Sequence, residues 1–349
     1  MSELINKQNE AGRALWRLMA STSAFTLIAS ICAMENAVAR EDERPTVWIE
    51  LGGQLERLDT AQPYFTPDFL TNAPATTQPV SATDAQRAPR YGYGGEGRLT
   101  FEPAGTDWLL SAGVRYGRSN GSKHIHQQTQ YHSSTFGQYP YAFTDVRAKD
   151  SESHMVLDFK AGKDWGLGVF GHGARSALTI GVRYAQFSSR DGVSISHNPT
   201  SNPYGYRHFY QTGHIDRSFT GIGPLLAWDG SAPILGSADT STVTFDWGAD
   251  FALLFGRQKS DVVHNTHAVR RYVGLVYSKT FSRPLSRSVT VPNVGGFAGF
   301  SVHYDNAKIA FGYRGDFYFN AIDGGLDTAV SKNLSFHGPY ASISIGFGG

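Results

Sequence analysis

His124-x-His126 has the spacing that sets two imidazoles on one face of a strand, as a surface metal site requires. No third ligand is fixed by the sequence. The surrounding Gln- and Tyr-rich stretch, which also holds His132, reads as a loop with solvated histidines. Serine and histidine are both frequent, yet no GxSxG elbow occurs and no spacing ties one Ser to one His. Gly92-Tyr93-Gly94-Gly95-Glu96-Gly97 has the look of a phosphate loop but lacks GxxxxGK[ST]. It falls in an alternating segment, where glycine eases bending and close packing. These spacings imply no enzyme, no catalytic residue, no metal and no cofactor. What remains is a recurring set of ionised residues: Glu50, Glu96, Arg98, Arg115, Asp158, Arg183, Asp246, Asp250, Arg314 and Asp316. Arg115, Arg183, Arg314, Asp246, Asp250 and Asp316, with Glu96 and Arg98, are the candidate groups for lining a water-filled pore. Charges of both signs there would sort solutes by size and charge. The plainer alternative is that they pair across neighbouring strands and only stabilise a wall. Signs are balanced, so neither anion nor cation preference follows.

Those residues recur with period 2, which identifies the elements that carry them. Val47, Ile49, Leu51 and Leu55 alternate with Trp48, Glu50, Gln54 and Glu56. Trp108, Leu110, Ala112, Val114 and Tyr116 alternate with Ser111, Gly113, Arg115 and Gly117. The pattern returns in Val243, Phe245, Trp247, Ala249, Phe251, Leu253 and Phe255, and again from Ile309 to Phe319 and from Ala341 to Phe347. Strands of soluble proteins average about 5–6 residues. These alternate over roughly 10–13, close to the length of a tilted membrane strand. Trp108 and Tyr116 would stand roughly 20 Å apart along the membrane normal, an aromatic ring near each edge of an apolar band. In lipid an unpaired backbone group costs several kcal/mol, so such a sheet spans only when closed. The charged face must then turn inward, because ionised groups in hydrocarbon are prohibitive.

The expected fold is therefore all-β: an antiparallel, up-and-down transmembrane β-barrel. Eleven strands are legible, and a single-chain barrel needs an even number. The expectation is twelve, with ten or fourteen as neighbours and the missing strand within 266–295, where Pro284 and Pro292 interrupt the pattern. Short connections are expected at 103–107, at about 166–175 and at Asp305-Asn306. Long ones are expected near 59–89, 119–152, 189–215 and 320–334, the first of them rich in proline.

Composition agrees. Lys+Arg is 31 and Asp+Glu 30, which gives no field to attract nucleic acid. Charged residues are only 17%, no apolar run suits a membrane helix, and an alternating barrel averages to a polar score. Lys7, Arg13 and Arg17 precede an apolar stretch from Leu18 to Ala33, and Ala37-Val38-Ala39 offers a small-x-small cleavage site. Residues 1–39 thus read as an export signal, with the barrel over 40–349. The only cysteine, Cys32, would leave with that signal.

Several segments resemble the major outer membrane protein of Legionella and its pore-forming relatives. They are Phe159-Lys160-Ala161-Gly162-Lys163-Asp164-Trp165-Gly166-Leu167-Gly168, Gly181-Val182-Arg183-Tyr184-Ala185-Gln186-Phe187, Phe219-Thr220-Gly221-Ile222-Gly223-Pro224, Val291-Pro292-Asn293-Val294-Gly295-Gly296-Phe297, and Phe311-Gly312-Tyr313-Arg314-Gly315-Asp316-Phe317-Tyr318-Phe319. Asp323-Gly324-Gly325 and Gly338-Pro339-Tyr340 follow. The resemblance covers most of the chain after about residue 155, extends more weakly to Trp48, and brings no catalytic residues. It implies an outer-membrane pore whose partners are outer-membrane lipid, the barrel assembly machinery and small hydrophilic solutes. One departure is the terminus. Barrels of this kind usually end in an aromatic, whereas here Phe347 is followed by Gly348 and Gly349. The expected function is passive diffusion of small hydrophilic solutes. The alternative is a plugged barrel whose long loops bind a host surface, a phage or a ligand.

Overall fold

The computed structural model describes residues 46–60, 91–106, 108–134, 137–164, 175–197, 206–237, 241–270, 276–304, 306–325 and 328–348. The expected signal segment lies outside these residues, as do most of the 59–89 loop and nearly all of the 166–175 connection.

The alternating segments form ten strands among the described residues. They are β1 (Thr46–Thr60), β2 (Tyr91–Glu102), β3 (Trp108–Ser134), β4 (Gly137–Asp164), β5 (Arg175–His197), β6 (Tyr206–Ser237), β7 (Ser241–Arg270), β8 (Val276–Tyr304), β9 (Ala307–Asp323) and β10 (Ser331–Phe347). Each pairs antiparallel with its neighbours in sequence. β1 pairs with β10, Val47 opposite Phe347, and this contact closes the barrel. Closure removes both sheet edges, the condition for crossing lipid.

The expected count of twelve is corrected to ten. Among the described residues no separate strand lies within 266–295; β7 and β8 pair through it to Val269 opposite Val276. The prolines that interrupt the pattern sit where they do little harm. β8 pairs with β9 only from Asn293 to Tyr304, so Pro284 and Pro292 lie in the part of β8 bonded to β7 alone. A missing N–H on that open side breaks no ladder bond.

Two expected loops are also corrected. The 119–152 segment is mostly strand: β3 and β4 stay paired to Ser134 opposite Gly137. Most of 189–215 is likewise paired, in β5 and β6. The 320–334 connection is shorter than expected, because β9 ends at Asp323 and β10 begins at Ser331. Hydrogen-bonded hairpins satisfy their own backbone groups, so polar residues there did not mean irregular chain.

The two ends of the barrel differ. The 103–107 connection, the β8–β9 turn, Thr46 and Phe347 share one end. At the other, β2 pairs with β3 only as far as Ser119, while β3 continues for fifteen residues to Ser134. At about 3.3 Å per residue that extension measures roughly 50 Å along the strand. β4 to β8 rise with it, whereas among the described residues β9, β10, β1 and β2 end lower. The result is a barrel with a raised six-stranded wall on one side.

Outward residues form the lipid belt. Leu51, Leu55, Trp108, Tyr116, Phe159, Ile180, Ile222, Phe255, Ile309, Phe311 and Ile343 are all exposed. An apolar belt this continuous has no place in water.

Candidate functional site

The interior begins at the end that holds the short turns. Glu50, Glu102, Arg175, Asp229, Asp246, Lys308, Arg314 and Tyr340 line a vestibule of about 230 Å³. Lys308 lies 2.7 Å from Asp246, and Lys160 lies 3.1 Å from Asp229. Arg98 stands 4.0 Å from Glu50.

Deeper in, ion pairs bridge the barrel from wall to wall. Arg115 on β3 donates to Asp316 on β9 at 2.5 Å, four strands away round the wall. Arg183 on β5 donates through Nε and Nη2 to both oxygens of Asp158, each at 2.7 Å. Its Nη1 donates to Asp250 at 2.5 Å and also to Asn293. Arg314 pairs with Glu96, and its guanidinium stacks 5.3 Å from the Phe297 ring and 5.1 Å from Tyr340. Arg183 is only 2% exposed and Asp316 5%. A ten-stranded barrel is narrow enough for this. Eight strands leave an interior that side chains just fill, and here arginine and aromatic side chains span the slightly wider one.

A second layer lies towards the raised wall. Phe187 and Phe219 stack, Tyr318 meets Phe187 edge-on with centroids 4.5 Å apart, and Phe336 packs against both Phe187 and Tyr318. Leu58, Val156, Leu254 and Val291 complete this apolar plug. Above it Val193, Ile195, Ile215 and Val262 are also buried, so the inner face of the raised wall is packed as well.

Between the two layers lies a cavity of about 10 Å³, barely enough to hold one water. Glu56, Glu96, His154, Asp316 and Tyr318 line it, each with one buried polar atom lacking a protein partner. His154 pairs with Glu56 at 3.4 Å. Gly94 and Gly117 leave room for the Glu56 carboxylate, since a Cβ at either would collide with it.

All eight pore-lining candidates face the interior. Glu96, Arg115, Arg183, Asp250, Arg314 and Asp316 meet in the wall-to-wall ion layer. Asp246 belongs to the vestibule, and Arg98 sits between vestibule and ion layer beside Glu50. Among the described residues the middle of the interior is filled by these pairs, rather than lined by them round open water. Sequence reasoning passed over Asn293, Tyr318, Glu56 and His154. Period-2 parity alone would have turned each inward.

The other sequence candidates fare differently. Ser301 Oγ lies 3.3 Å from His303 Nε2 and 2.7 Å from Thr244 Oγ1. Ser301 is wholly buried, however, so its hydroxyl meets no substrate. His124 pairs with Asp145, and Arg147 donates to the same imidazole at 3.3 Å. The side chains of His126 and His132 lie outside the described residues. No group of three metal-ligating side chains assembles among the described residues.

A closed antiparallel barrel with an apolar outer belt, short turns at one end and long hairpins at the other defines an outer-membrane β-barrel, and the chain is at home in a bacterial outer membrane. It matches no family model and no curated protein. Among solved structures it is similar to the outer membrane protease OmpT from Escherichia coli, at 10% identity over 89% of this chain and 99% of that one, with a TM-score of 0.32. It is also similar to the translocator domain of the autotransporter NalP from Neisseria meningitidis, at 10% identity over 94% and 96%, TM-score 0.26. A major outer membrane protein from Thermus thermophilus is similar at 12% identity over 87% and 99%, TM-score 0.22. The three neighbours serve different functions, and likenesses this weak assign none of them to this chain.

Proposed function

We propose that this chain is a plugged outer-membrane barrel that acts at the cell surface, its raised wall presenting a binding face. One observation carries the reading: ion pairs and an aromatic layer fill the barrel from wall to wall, while β3 to β8 extend about 50 Å along the strand beyond the neighbouring wall. A rigid closed base with a tall hydrogen-bonded wall suits recognition of a host surface, a phage or a ligand. Replacing residues 122–149 by a two-residue turn tests it. Surface binding of cells displaying the barrel should vanish while the barrel still folds; binding retained after the deletion contradicts it.

A second reading is favoured by the charged vestibule and by the resemblance to pore-forming proteins of the Legionella type. In it the barrel passes small hydrophilic solutes when the ion layer rearranges, with Arg115, Arg183, Arg314, Asp246, Asp250, Asp316, Glu96 and Arg98 lining the opened path. Here Arg183→Ala should raise conductance in planar bilayers, and an unchanged trace would remove the reading.

A further inference from the structure

We propose that the rim carrying the raised wall holds a binding site for a phosphorylated lipid headgroup of the outer leaflet, built by Arg57 and Arg118 on either side of Tyr91 and Tyr93. Strand register brings the four together. Arg57 lies opposite Tyr91, and Tyr93 lies opposite Arg118. β2 therefore stands between the two arginines, and with the two-residue offset along it their Cα atoms lie roughly 12 Å apart. All four side chains point outward and are exposed, Tyr91 to 65% and Tyr93 to 71%.

Height identifies the occupant. Arg57 follows Leu55 and Arg118 follows Tyr116 at the next outward position, and Leu55 and Tyr116 are the last lipid-facing apolar residues of their strands. The site thus continues the lipid belt at the level where acyl chains give way to headgroups. Tyrosine rings favour that level. Guanidinium forks match phosphate oxygens in bidentate geometry, which an ammonium does not. Facing the membrane surface, the site meets lipid phosphate rather than protein. β7 repeats the arrangement, with Phe255 followed outward by Arg257 and Lys259 and then by Asp261. At the opposite rim Arg175 turns inward and pairs with Glu102 at 3.5 Å in the vestibule, so it does not face lipid.

The test is the urea midpoint of the full chain refolded into phosphatidylcholine vesicles, with and without diphosphoryl lipid A. Lipid A should raise the midpoint of the wild-type protein. A basic residue at an anionic membrane surface contributes roughly a fivefold preference, so the R57Q/R118Q double variant should need roughly 30-fold more lipid A for the same rise. K163Q, which changes an exposed outward residue opposite Trp108 at the other rim, should respond as wild type does. If the double variant does not refold, R118Q alone should show roughly a fivefold loss. An undiminished response in R57Q/R118Q or R118Q overturns the proposal, as does a rise reproduced by inorganic phosphate without lipid A.

Discussion

Arg183 shows what a single side chain does inside this barrel. Two carboxylates, Asp158 and Asp250, depend on it, and it is almost wholly buried. Removing one partner of a buried pair leaves uncompensated charge, which typically costs about 3–5 kcal/mol. Arg183→Ala should lower the unfolding free energy read from urea denaturation by that order; a change below about 1 kcal/mol would mean the layer is looser than its geometry. Gly117 is constrained differently. A Cβ there would collide with His154 and Glu56, so Gly117→Ala should destabilise by about 1–3 kcal/mol in the same measurement. Beyond the lipid belt, Asp323 ties the β9–β10 turn. Burial opposes its charge. The hydrogen bonds from Arg283 and from the backbone N–H groups of Val330 and Gly325 outweigh that, and hold its carboxyl below the usual range. Because the folded value is depressed, the stabilisation is complete above the ordinary Asp value of about 3.9 and disappears as pH falls through the folded one. Hydrogen exchange at this turn should accelerate in that acid window relative to the strands, and Asp323→Asn should flatten the dependence. Parity made residues such as Arg115 and Asp316 legible as inward. It could not pair them, because they are 201 positions apart and meet only once the barrel has closed at a particular width.

At the scale of elements, alternation located the strands but not their ends. Val243 to Phe255 reads as a strand because its outward residues meet lipid, and the pattern fades where β7 leaves the membrane. Strand pairing nevertheless continues to Val269 opposite Val276, so the polar half of the hairpin looked like loop. The extra strand expected within 266–295 arose from the same limit, since Pro284 and Pro292 lie in the part of β8 beyond Asn293 that makes no ladder with β9. Asn320 adopts a left-handed φ of 59° near the register shift of β10, where its N–H donates to Asn333 Oδ1 at 3.0 Å. Asparagine tolerates that conformation better than most residues. Asn320→Gly should therefore be nearly neutral, while Asn320→Val should cost on the order of 1–3 kcal/mol in thermal unfolding.

For the whole molecule, outside and inside follow from one alternating pattern. Apolar side chains face lipid, and the polar face has nowhere to go but the interior. What that interior becomes depends on strand number, since a wider barrel would leave water where this one brings arginines against carboxylates on distant strands. The chain's length and alternation were compatible with ten, twelve or fourteen strands, and the sequence favoured an open pore with a plug as the alternative. The β1–β10 closure after ten strands, with ion pairs filling the interior, supports the proposed plug. The most direct measurement is planar-bilayer recording on the refolded wild-type protein at neutral pH. A filled interior predicts no steady conductance from properly inserted barrels. A stable, ohmic open state in the wild-type protein would contradict it.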